Sequence, residues 1–492
     1  MPFEFKPAVV RITHCHCDPC GVTVHVNRTP PPVVCPYCQL PLEKTESEVP
    51  LAAEAEFPSV EETRERMAKL YHRPPKWVAT LILTVAVLML ATAVFMQLRS
   101  AGNYFYQPLV SLYSLVAGIF VVSRFLIASI YVPPRDVGFE PTVTVLVPCM
   151  NEEVVIRQTI ERIFAARYPE EKLEVVCVND GSTDRTLEQM MAAQTRHPTL
   201  VIVDFHKNRG LSHAWAVAVL LARGEFMVCV DSDTFIFPGS IQKLMQGFSD
   251  PSVGGVSGHC DVENAGVNLL TKMQDVRYYF SYKVMKAAES VSGTVSCLPG
   301  CFSAYRRVCV LHVLDEWLNA KVMGEYGNFG DDRSLTNYIL KDYKIVYHDQ
   351  ALATTIAPEG WKQYIRQQAR WSRSYLREIV KVGKWMWRKH PVPALSWYAM
   401  MWMPIIEPVV MSAALIIAPL MAIMAGGSNL ALSYMMGVMA ITAVWTLHYW
   451  EQTGRRYWWT GFVYTASYML FFSWQIYWAL ATLKGKKWGT RG

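Results

Sequence analysis

Long apolar runs toward both ends of the chain limit its fold more than any other feature of the sequence. The run at 77–98 is uninterrupted, a second follows at 108–132, and apolar sequence returns at 395–425 and 430–450. A helix of about 20 apolar residues is long enough to span the hydrocarbon core of a bilayer. The stretch between the runs, 140–380, has the polarity of a soluble domain. The sequence therefore predicts a soluble domain framed by transmembrane helices.

A third C-terminal apolar run, at 459–483, is expected not to span the bilayer. If it did, the basic tail KGKKWGTRG would lie on the face opposite the soluble domain, whereas basic residues such as Arg455 and Arg456 favour the cytosolic side. Its tryptophans and tyrosines favour an interfacial or half-embedded helix instead. We therefore expect a multi-pass protein of the plasma (inner) membrane, with the soluble domain and both termini in the cytosol. The first residues lack the apolar segment of a signal peptide.

Composition narrows the classes of partner. Of the 492 residues, 52% are hydrophobic, and the formal net charge is only +6. This hydrophobic share exceeds that of an ordinary soluble enzyme. The mild positive charge fits a lipid bilayer or an anionic substrate, and it gives no reason to expect nucleic acid as a partner.

Two cysteine pairs, CDPC at 17–20 and CPYC at 35–38, predict a metal site near the start of the chain. Two tight C-x-x-C turns supply the four thiolates of a tetrahedral zinc site, with a redox motif or no metal as the alternatives. The expected structural Zn²⁺ ligands are Cys17, Cys20, Cys35 and Cys38. The spare potential ligands nearby are Cys15, His14, His16 and His25. A reduced thiolate site also agrees with a cytosolic location.

The predicted domains follow these changes in composition. They are a zinc-ribbon-like module at 1–40, a linker with a short helix near 59–72 in 41–76, two transmembrane helices in 77–132, an α/β domain at 140–380, interface and transmembrane helices in 381–483, and a tail at 484–492.

Strand-like and helical runs alternate within 140–380. TVTVLVP, LEVVCVND and TLVIVDF are each followed by a helical run, and EFMVCVDSD comes next. This repetition predicts a mostly parallel α/β sheet. Ligands of such sheets bind at the carboxyl ends of the strands, where the polar motifs PCMNEE, NDGSTD, HKNRG and DSDT stand.

Acidic residues at these strand ends are candidate ligands. Asp231 and Asp233 alternate in VDSDT, so both carboxylates lie on one side, which suits a divalent cation that also holds phosphate oxygens. Asp180 in VNDGSTD could accept a hydrogen bond from a base or ribose, with Gly181 permitting close backbone approach. Glu152 in PCMNEE could hold the same groups. Turn formation and helix capping are the alternatives at these positions.

Four later segments add candidates. In YIRQQARWSRSY, Gln367, Arg370 and Trp371 share one helix face, where arginine can bind phosphate and tryptophan can stack; a helix lying on the membrane is the alternative. GNFGDDRSLTN contains two adjacent aspartates that helix capping alone would explain. SCLPGCFSAYRR is an acceptor-side loop or a buried turn. WGTRG, at the end, is a binding segment or a frayed terminus.

In combination, D-G, D-x-D, G-D-D and Q-x-x-R-W in this order, with membrane spans on both sides, resemble the processive family-2 glycosyltransferases, which make polysaccharides such as cellulose, chitin and hyaluronan. The resemblance covers roughly 75–492. VDSDT, FGDDRSLTN, IRQQARWSRSYLRE and WGTRG are most similar to class I hyaluronan synthases, and rhizobial chitooligosaccharide synthases come next. CLPGCFSAYRR leans toward chitin synthases.

This resemblance implies a GT-A fold that binds a UDP-sugar with Mg²⁺ or Mn²⁺. It assigns the metal to Asp233 and the general base of an inverting transfer to Asp332, with Asp331 orienting either that base or Arg333. The implied nucleotide-binding residues are Pro148, Asn151, Glu152, Asp180, Asp231, Arg370, Trp488 and Arg491. Trp371, Cys297 and Gly300 are the implied acceptor-binding residues. Gln367, Arg370 and Trp371 complete the implied catalytic set.

The implied function is a membrane-embedded processive synthase that makes hyaluronan from UDP-GlcNAc and UDP-GlcA and passes the growing polysaccharide between its helices. A chitin or chitooligosaccharide synthase that uses UDP-GlcNAc alone is the alternative. Hyaluronan synthases usually continue past the W-G-T-R segment into further membrane helices, so two alternatives are open: a smaller channel, or a channel completed by a second protomer in a homo-oligomer. A membrane scaffold with a degenerate transferase domain would require the loss of Asp233, Asp332 or Arg370, and all three are present.

Overall fold

The computed structural model describes residues 9–27, 31–36, 38–52, 74–100, 107–322, 325–326, 331–417, 419–420 and 430–483. The strands are β1 Val9–Cys17, β2 Val22–Val26, β3 Glu43–Pro50, β4 Val143–Cys149, β5 Leu173–Asp180, β6 Leu200–Phe205, β7 Phe226–Cys229, β8 Thr234–Ile236, β9 Val253–Val262, β10 Ser303–Arg306, β11 Lys321–Val322, β12 Glu325–Tyr326 and β13 Lys344–Thr355. The α-helices are α1 Lys76–Ser100, α2 Gln107–Ser129, α3 Ile156–Phe164, α4 Thr186–Arg196, α5 Leu211–Leu221, α6 Ser240–Gln246, α7 Leu269–Tyr279, α8 Ala287–Val291, α9 Arg307–Leu318, α10 Asp331–Leu340, α11 Trp361–Gly383, α12 Pro391–Ser412, α13 Leu430–Thr453, α14 Thr460–Ser467 and α15 Gln475–Ala481.

Among the described residues, eleven strands form one mixed sheet in the order β3-β1-β2-β6-β5-β4-β7-β10-β9-β13-β8. Its centre is parallel, because β4 pairs with β5 and β7, and β5 pairs with β6, all in parallel register. All seven residues of β4 are buried, as expected for a strand covered by helices on both faces. The prediction of an α/β sheet is confirmed, although antiparallel strands on both sides of the parallel centre make it mixed rather than mostly parallel.

The helices that cover this centre lie where the sequence predicts them. In α3, the buried side chains Ile156, Thr159, Ile160 and Ile163 recur at helical spacing, so one face packs on the sheet. The loops before α3, α4 and α5 follow the carboxyl ends of β4, β5 and β6. Because β4, β5 and β6 are parallel, these three loops lie together at the carboxyl ends of the strands.

The N-terminal strands continue this sheet instead of forming a separate body. β2 pairs antiparallel with β6, from Val22 opposite Phe205 to His25 opposite Ile202. β3 lies in the stretch 41–76 that was expected to be a linker, and it pairs along β1 from Val9 opposite Pro50 to His16 opposite Glu43. Its sequence EKTESEVP is mostly exposed and carries no apolar alternation, so only backbone pairing defines it as a strand. The helix predicted near 59–72 lies outside the described residues.

Within the described ranges, four helices are long and apolar enough to cross a membrane, judged by length and composition. These are Lys76–Met96, Pro108–Ser129, Pro391–Ile417 and Ala431–Thr453. Two precede and two follow the soluble domain, as the sequence predicts. The segment 459–483 is divided into α14, a π-helical turn at Tyr468–Phe472 and α15, and it is not among the four. Its interfacial position stays a prediction.

A buried polar cluster joins the soluble domain to the C-terminal helices. The Asp275 carboxylate on α7 forms an ion pair with Arg455, which follows α13. The hydroxyl groups of Tyr449 and Tyr457 also donate to Asp275, the latter at 3.0 Å. Because both charges are almost fully buried, these hydrogen bonds compensate part of their desolvation. The cluster fixes α7 against the end of α13.

Candidate functional site

Asp180 stands at the carboxyl end of β5 and is held by the loop that follows β6. Its Oδ1 accepts a hydrogen bond from the Arg209 backbone N–H at 2.7 Å, and its Oδ2 accepts from the Gly210 N–H at 2.9 Å and from Asn208 Nδ2 at 3.0 Å. Burial raises the pKa of the Asp180 carboxyl, and the two backbone N–H groups oppose that rise. An ionised carboxylate has about four acceptor positions, so one remains for a ligand.

Gly181 permits this arrangement. It has a φ of +69°, and a Cβ added to it would lie 2.4 Å from the Asn208 backbone nitrogen and 2.7 Å from the Lys207 carbonyl carbon. No larger residue fits there without moving the backbone of the loop. The D-G pair therefore has a structural cause beyond turn formation, because the aspartate binds the loop and the glycine makes room for it.

The turn after β4 is fastened to the turn after β5. Asn151 has a φ of 57°, its backbone N–H donates to Ser182 Oγ at 2.9 Å, and its Oδ1 accepts from the Thr183 N–H at 2.9 Å. The Glu152 N–H donates to a threonine hydroxyl at the start of α4. Pro148, also predicted to bind the nucleotide, is buried within β4. These bonds place Asn151 and Glu152 beside Asp180 at the sheet edge.

Carboxylates concentrate just beyond β7. The pKa of the Asp231 carboxyl is raised to about 7, mainly by desolvation and also by the nearby carboxylates of Asp233, Asp332 and Glu152, whereas the Arg370 guanidinium opposes that rise. Residues from four separate segments are therefore close enough to interact electrostatically. An accumulation of negative charge of this kind is stabilised by a bound cation.

Neighbouring groups fix the directions of the two D-x-D carboxylates. Thr355 Oγ1 donates to Asp233 Oδ1 at 3.2 Å. A Cβ added to Gly300 would lie 2.7 Å from Asp231 Oδ1, so the absence of a side chain at Gly300 leaves the position of that carboxylate free. Gly300 was predicted on the acceptor side, and the structure places it against Asp231. Thr355 had no distinguishing signal in the sequence.

The carboxylate oxygens fit a divalent cation that shares its coordination with a substrate. Within the described part of the chain, only the four N-terminal cysteines bring three or more potential ligand atoms together, so the carboxylates do not form a closed cage. Mg²⁺ usually keeps several waters and is held by one or two carboxylates together with substrate phosphates. A site in which Asp233 supplies one carboxylate ligand agrees with this coordination preference of Mg²⁺.

Asp332 lies in the first turn of α10. Its Oδ1 accepts from the Arg333 N–H at 2.7 Å, and its Oδ2 lies 3.9 Å from Cys297 Sγ. The helix is joined to the 296–307 loop because Thr336 Oγ1 accepts from the Leu298 N–H at 2.9 Å. Cys297 therefore contacts the candidate base directly. α10 begins at Asp331, whose side chain lies outside the description, as do Trp488 and Arg491.

Gln367, Arg370 and Trp371 lie on α11, as the sequence predicts. Gln367 Oε1 and Arg370 Nε are buried without a hydrogen-bond partner among the described residues. Buried polar atoms are nearly always paired in native structures, so these two atoms are candidates to bind a polar ligand. Trp371 keeps 36% of its surface exposed.

Arg277, on α7, is a member of this group that the sequence did not indicate. Its guanidinium carbon lies 5.6 Å from the centre of the Trp371 ring, and its Nη1 donates to Gln368 Oε1 at 2.5 Å. The cation fixes one face of the tryptophan ring. Arg277 stands in the ordinary helical sequence DVRYYF, which carries no motif, so only the fold brings it to Trp371.

The four predicted zinc ligands do come together. The sulfur atoms of Cys17, Cys20, Cys35 and Cys38 all lie within 4.8 Å of one another. Cys17 Sγ and Cys38 Sγ are 3.6 Å apart. Thiolates about 2.3 Å from a tetrahedral zinc ion are separated by ~3.8 Å, so this donor set fits Zn²⁺ with no open coordination position.

The spare ligands have other contacts. His14 bonds to His25 at 2.6 Å and to Ser47 at 2.6 Å. His16 contacts Thr23 and Asp18. Cys15 is buried in the hydrophobic core.

Comparison with known proteins agrees with the fold. Residues 141–374 match the family described as "Glycosyltransferase like family 2". Hyaluronan synthase of Streptococcus pyogenes is 29% identical over 328 residues, which cover 65% of this chain and 76% of the relative. An N-acetylglucosaminyltransferase of Rhizobium meliloti is 34% identical over 241 residues, covering 48% of this chain and 56% of the relative.

A solved mannosyltransferase of Pyrobaculum calidifontis, in complex with GDP-Man and Mn²⁺, has a similar fold. It superposes with a TM-score of 0.51 at 23% sequence identity, and the match covers 79% of this chain and 99% of the mannosyltransferase. Together with the strand-end site and the apolar helices, these similarities identify residues 141–374 as a family 2 glycosyltransferase domain with a GT-A-like fold.

Proposed function

We propose that this protein is a membrane-embedded inverting glycosyltransferase that makes a polysaccharide from UDP-sugars. The observation that carries the proposal is the proximity of four side chains, those of Asp231, Asp233, Asp332 and Arg370. The carboxylates of Asp233 and Asp332 raise the pKa of the Asp231 carboxyl, and the Arg370 guanidinium lowers it. Three segments far apart in the sequence would thus supply the acids and the positive charge that a sugar transfer needs.

The donor half of the site lies at the ends of β4, β5 and β7. Asp180, with one acceptor position remaining, and Asn151 and Glu152 on the fastened turn beside it would bind the nucleoside. Pro148 would shape the floor of that pocket. Asp231 and Asp233 would hold a Mg²⁺ or Mn²⁺ ion against the diphosphate, and the bound ion would neutralise charge on the leaving group.

The acceptor half lies between α10 and α11. Asp332 would remove the proton from the acceptor hydroxyl while the sugar–oxygen bond forms on the face opposite the departing diphosphate. Arg370, whose buried Nε lacks a partner among the described residues, would donate to the developing negative charge on that diphosphate. Asp331 would orient this base. Cys297 Sγ lies against the carboxylate of Asp332.

Trp371 would bind the acceptor sugar. A sugar presents C–H groups that pack on an aromatic face. The Arg277 guanidinium lies over one face of the Trp371 ring. Because Trp371 is partly exposed, the opposite face would be available to the sugar. Gln367 would bond to a sugar hydroxyl through its buried Oε1, which has no hydrogen-bond partner among the described residues. Trp488 and Arg491 would close over the nucleotide, and that part of the proposal rests on the resemblance of the W-G-T-R segment alone.

Hyaluronan, from UDP-GlcNAc and UDP-GlcA, is the product we favour. The similarity to hyaluronan synthase extends over 65% of the chain and so includes sequence beyond the transferase domain. A chitin or chitooligosaccharide product is the second candidate, because the identity to the rhizobial N-acetylglucosaminyltransferase is higher, 34%, over a shorter stretch. In either case the polymer would leave between the membrane helices, and a homo-oligomer is one way to complete that path.

The membrane arrangement is also part of the proposal. The four candidate spans would place the transferase domain on the cytosolic face, where UDP-sugars are made, with the four-cysteine cluster beside it holding a structural Zn²⁺. Both termini would be cytosolic.

Release of UDP by purified, detergent-solubilised protein tests this function. The assay has three arms, UDP-GlcNAc alone, UDP-GlcA alone and both together, each with Mg²⁺ or Mn²⁺. Turnover that needs both donors, with a product digested by hyaluronidase, would establish hyaluronan synthesis. Sustained turnover with UDP-GlcNAc alone and a chitinase-sensitive product would assign the second candidate. No turnover in any arm, with folded protein, would contradict the proposal.

A further inference from the structure

The four-cysteine cluster lies directly beside the loop that holds Asp180. Pairing of β2 with β6 places Val22 opposite Phe205, so the turn between β1 and β2 adjoins the residues that follow β6. The His206 backbone N–H donates to the Gly21 carbonyl at 3.1 Å and continues the pairing by one residue. Cys20, one of the metal-ligand candidates, immediately precedes that glycine.

Side chains add a second set of contacts between the two segments. The imidazole rings of His16 and His206 are stacked, with centroids 5.3 Å apart. Thr23 Oγ1 and His206 Nε2 are hydrogen-bonded at 3.2 Å. The Arg209 guanidinium lies over the Phe205 ring and donates to the Cys20 carbonyl. The loop 206–210 is therefore supported on one side by the cysteine turn.

The other side of the same loop holds the donor-site acid. Arg209 connects the two, because its side chain reaches the Cys20 carbonyl while its backbone N–H donates to Asp180 Oδ1 at 2.7 Å. Gly210 and Asn208, on either side of it, donate to the other carboxylate oxygen. The path from a metal ligand to the donor site thus passes through a single residue.

We propose that a zinc-class cation bound by the four cysteines strengthens nucleotide binding at Asp180, with Arg209 as the positioning residue. A tetrahedral thiolate site fixes the backbone of both C-x-x-C turns, and with it the direction of the Cys20 carbonyl. Loss of the ion frees that carbonyl, Arg209 loses a fixed acceptor, and the backbone N–H groups that hold Asp180 lose their support. This inference rests on the proposed function, since it takes the site at Asp180 to bind a nucleoside diphosphate.

Linkage supplies a test that does not depend on turnover. If the cation tightens UDP binding by some factor, UDP must tighten cation binding by the same factor, and couplings of this kind are typically about 5- to 150-fold. UDP affinity is measured by calorimetry on zinc-loaded and chelator-treated full-length protein in detergent. Zinc affinity is measured by competition with a chromogenic chelator, with and without UDP. We expect zinc removal to weaken UDP binding about 5-fold or more, and UDP to tighten zinc binding equally.

Variants separate positioning from simple loss of folding. Arg209→Ala should weaken UDP binding while zinc content stays at one per chain, and zinc removal from that variant should cause little further weakening. Additive effects would mean that Arg209 contacts UDP independently of the metal, and would overturn the proposal. Arg11→Ala is the matched control, because this arginine lies in β1, the strand that leads into the cysteine turn, and its side chain forms an exposed ion pair with Glu48.

The outcomes distinguish the two levels of inference. If zinc-loaded protein binds UDP and zinc removal leaves that affinity unchanged, the coupling is wrong and the transferase assignment stands. If zinc-loaded, folded protein does not bind UDP, the proposed function fails and the coupling fails with it. Should chelation unfold the protein, the Arg209→Ala variant and the UDP dependence of zinc affinity still decide the question.

Discussion

Substitution of Gly300 by alanine would disturb the acidic cluster through a single methyl group. The added Cβ would lie 2.7 Å from Asp231 Oδ1, whereas ordinary contacts begin at 3.4 Å, so the carboxylate or the loop must move by about 0.7 Å. Misplacement by about 1 Å at a catalytic site can cost on the order of 100-fold in rate. We therefore expect Gly300→Ala to lower kcat/KM for the donor roughly 10- to 100-fold, because Asp231 can no longer take the position that the cluster requires.

Measurement of UDP release at varied donor concentration tests this prediction. Gly118→Ala is the control, since nothing lies within 4 Å of its added Cβ and it stands inside a helix, where alanine is the better residue. The control should keep normal turnover, and both variants should have unfolding temperatures close to the parent. Unchanged kcat/KM in Gly300→Ala would refute the reasoning, because it would mean that the position of Asp231 does not matter for donor use.

Three further substitutions test other parts of the structure. Asp332→Asn should keep UDP affinity and lower kcat by about 10²- to 10⁴-fold in the same assay, as expected for loss of a general base; near-normal turnover would exclude that role. Gly181→Ala should weaken UDP binding and lower the unfolding temperature, because its Cβ would lie 2.4 Å from the Asn208 nitrogen at a φ of +69° that costs a side chain roughly 1–2 kcal/mol; calorimetric affinity equal to the parent's would contradict this. Asp275→Asn should reduce stability by about 3–5 kcal/mol, because it leaves the buried Arg455 charge without its ion-pair partner; thermal unfolding in detergent measures it, and an unchanged midpoint would count against the cluster as an anchor.

Much of the catalytic core could be predicted because its signals are local. The buried parallel strands appear in the sequence as apolar runs, and their carboxyl ends coincide with the motifs that contain Asp180, Asp231 and Asp233. The grouping of the four cysteines into one cluster could be predicted because the C-x-x-C spacing of two tight turns is visible in the sequence. Long apolar runs in the sequence likewise predict the four candidate membrane spans.

Contacts made by residues without a motif could not be predicted. Arg277 reaches Trp371 only because the fold brings its side chain on α7 to α11. Thr355 reaches Asp233 only because β13 pairs with β8, which places Thr355 opposite Thr234. The 41–76 stretch was expected to contain a linker because its sequence is acidic and then basic, yet Glu43–Pro50 within it forms a strand by backbone pairing with β1. This backbone pairing depends on the presence of β1 as a partner, and it leaves no alternation of apolar and polar residues in the sequence of β3.

The N-terminal strands also solve a problem that the transferase sheet has by itself. Without them β6 would be an edge strand of almost entirely buried, apolar residues, which is a template for aggregation. β2 covers that edge with Val22, Val24 and Val26 facing the shared core, and β3 ends the sheet with exposed charged side chains. The same pairing that protects β6 places the cysteine cluster beside the loop after β6. Coverage of the edge and proximity to the loop that holds Asp180 therefore have one structural origin, and this shared origin is what gives the proposed coupling to nucleotide binding its structural path.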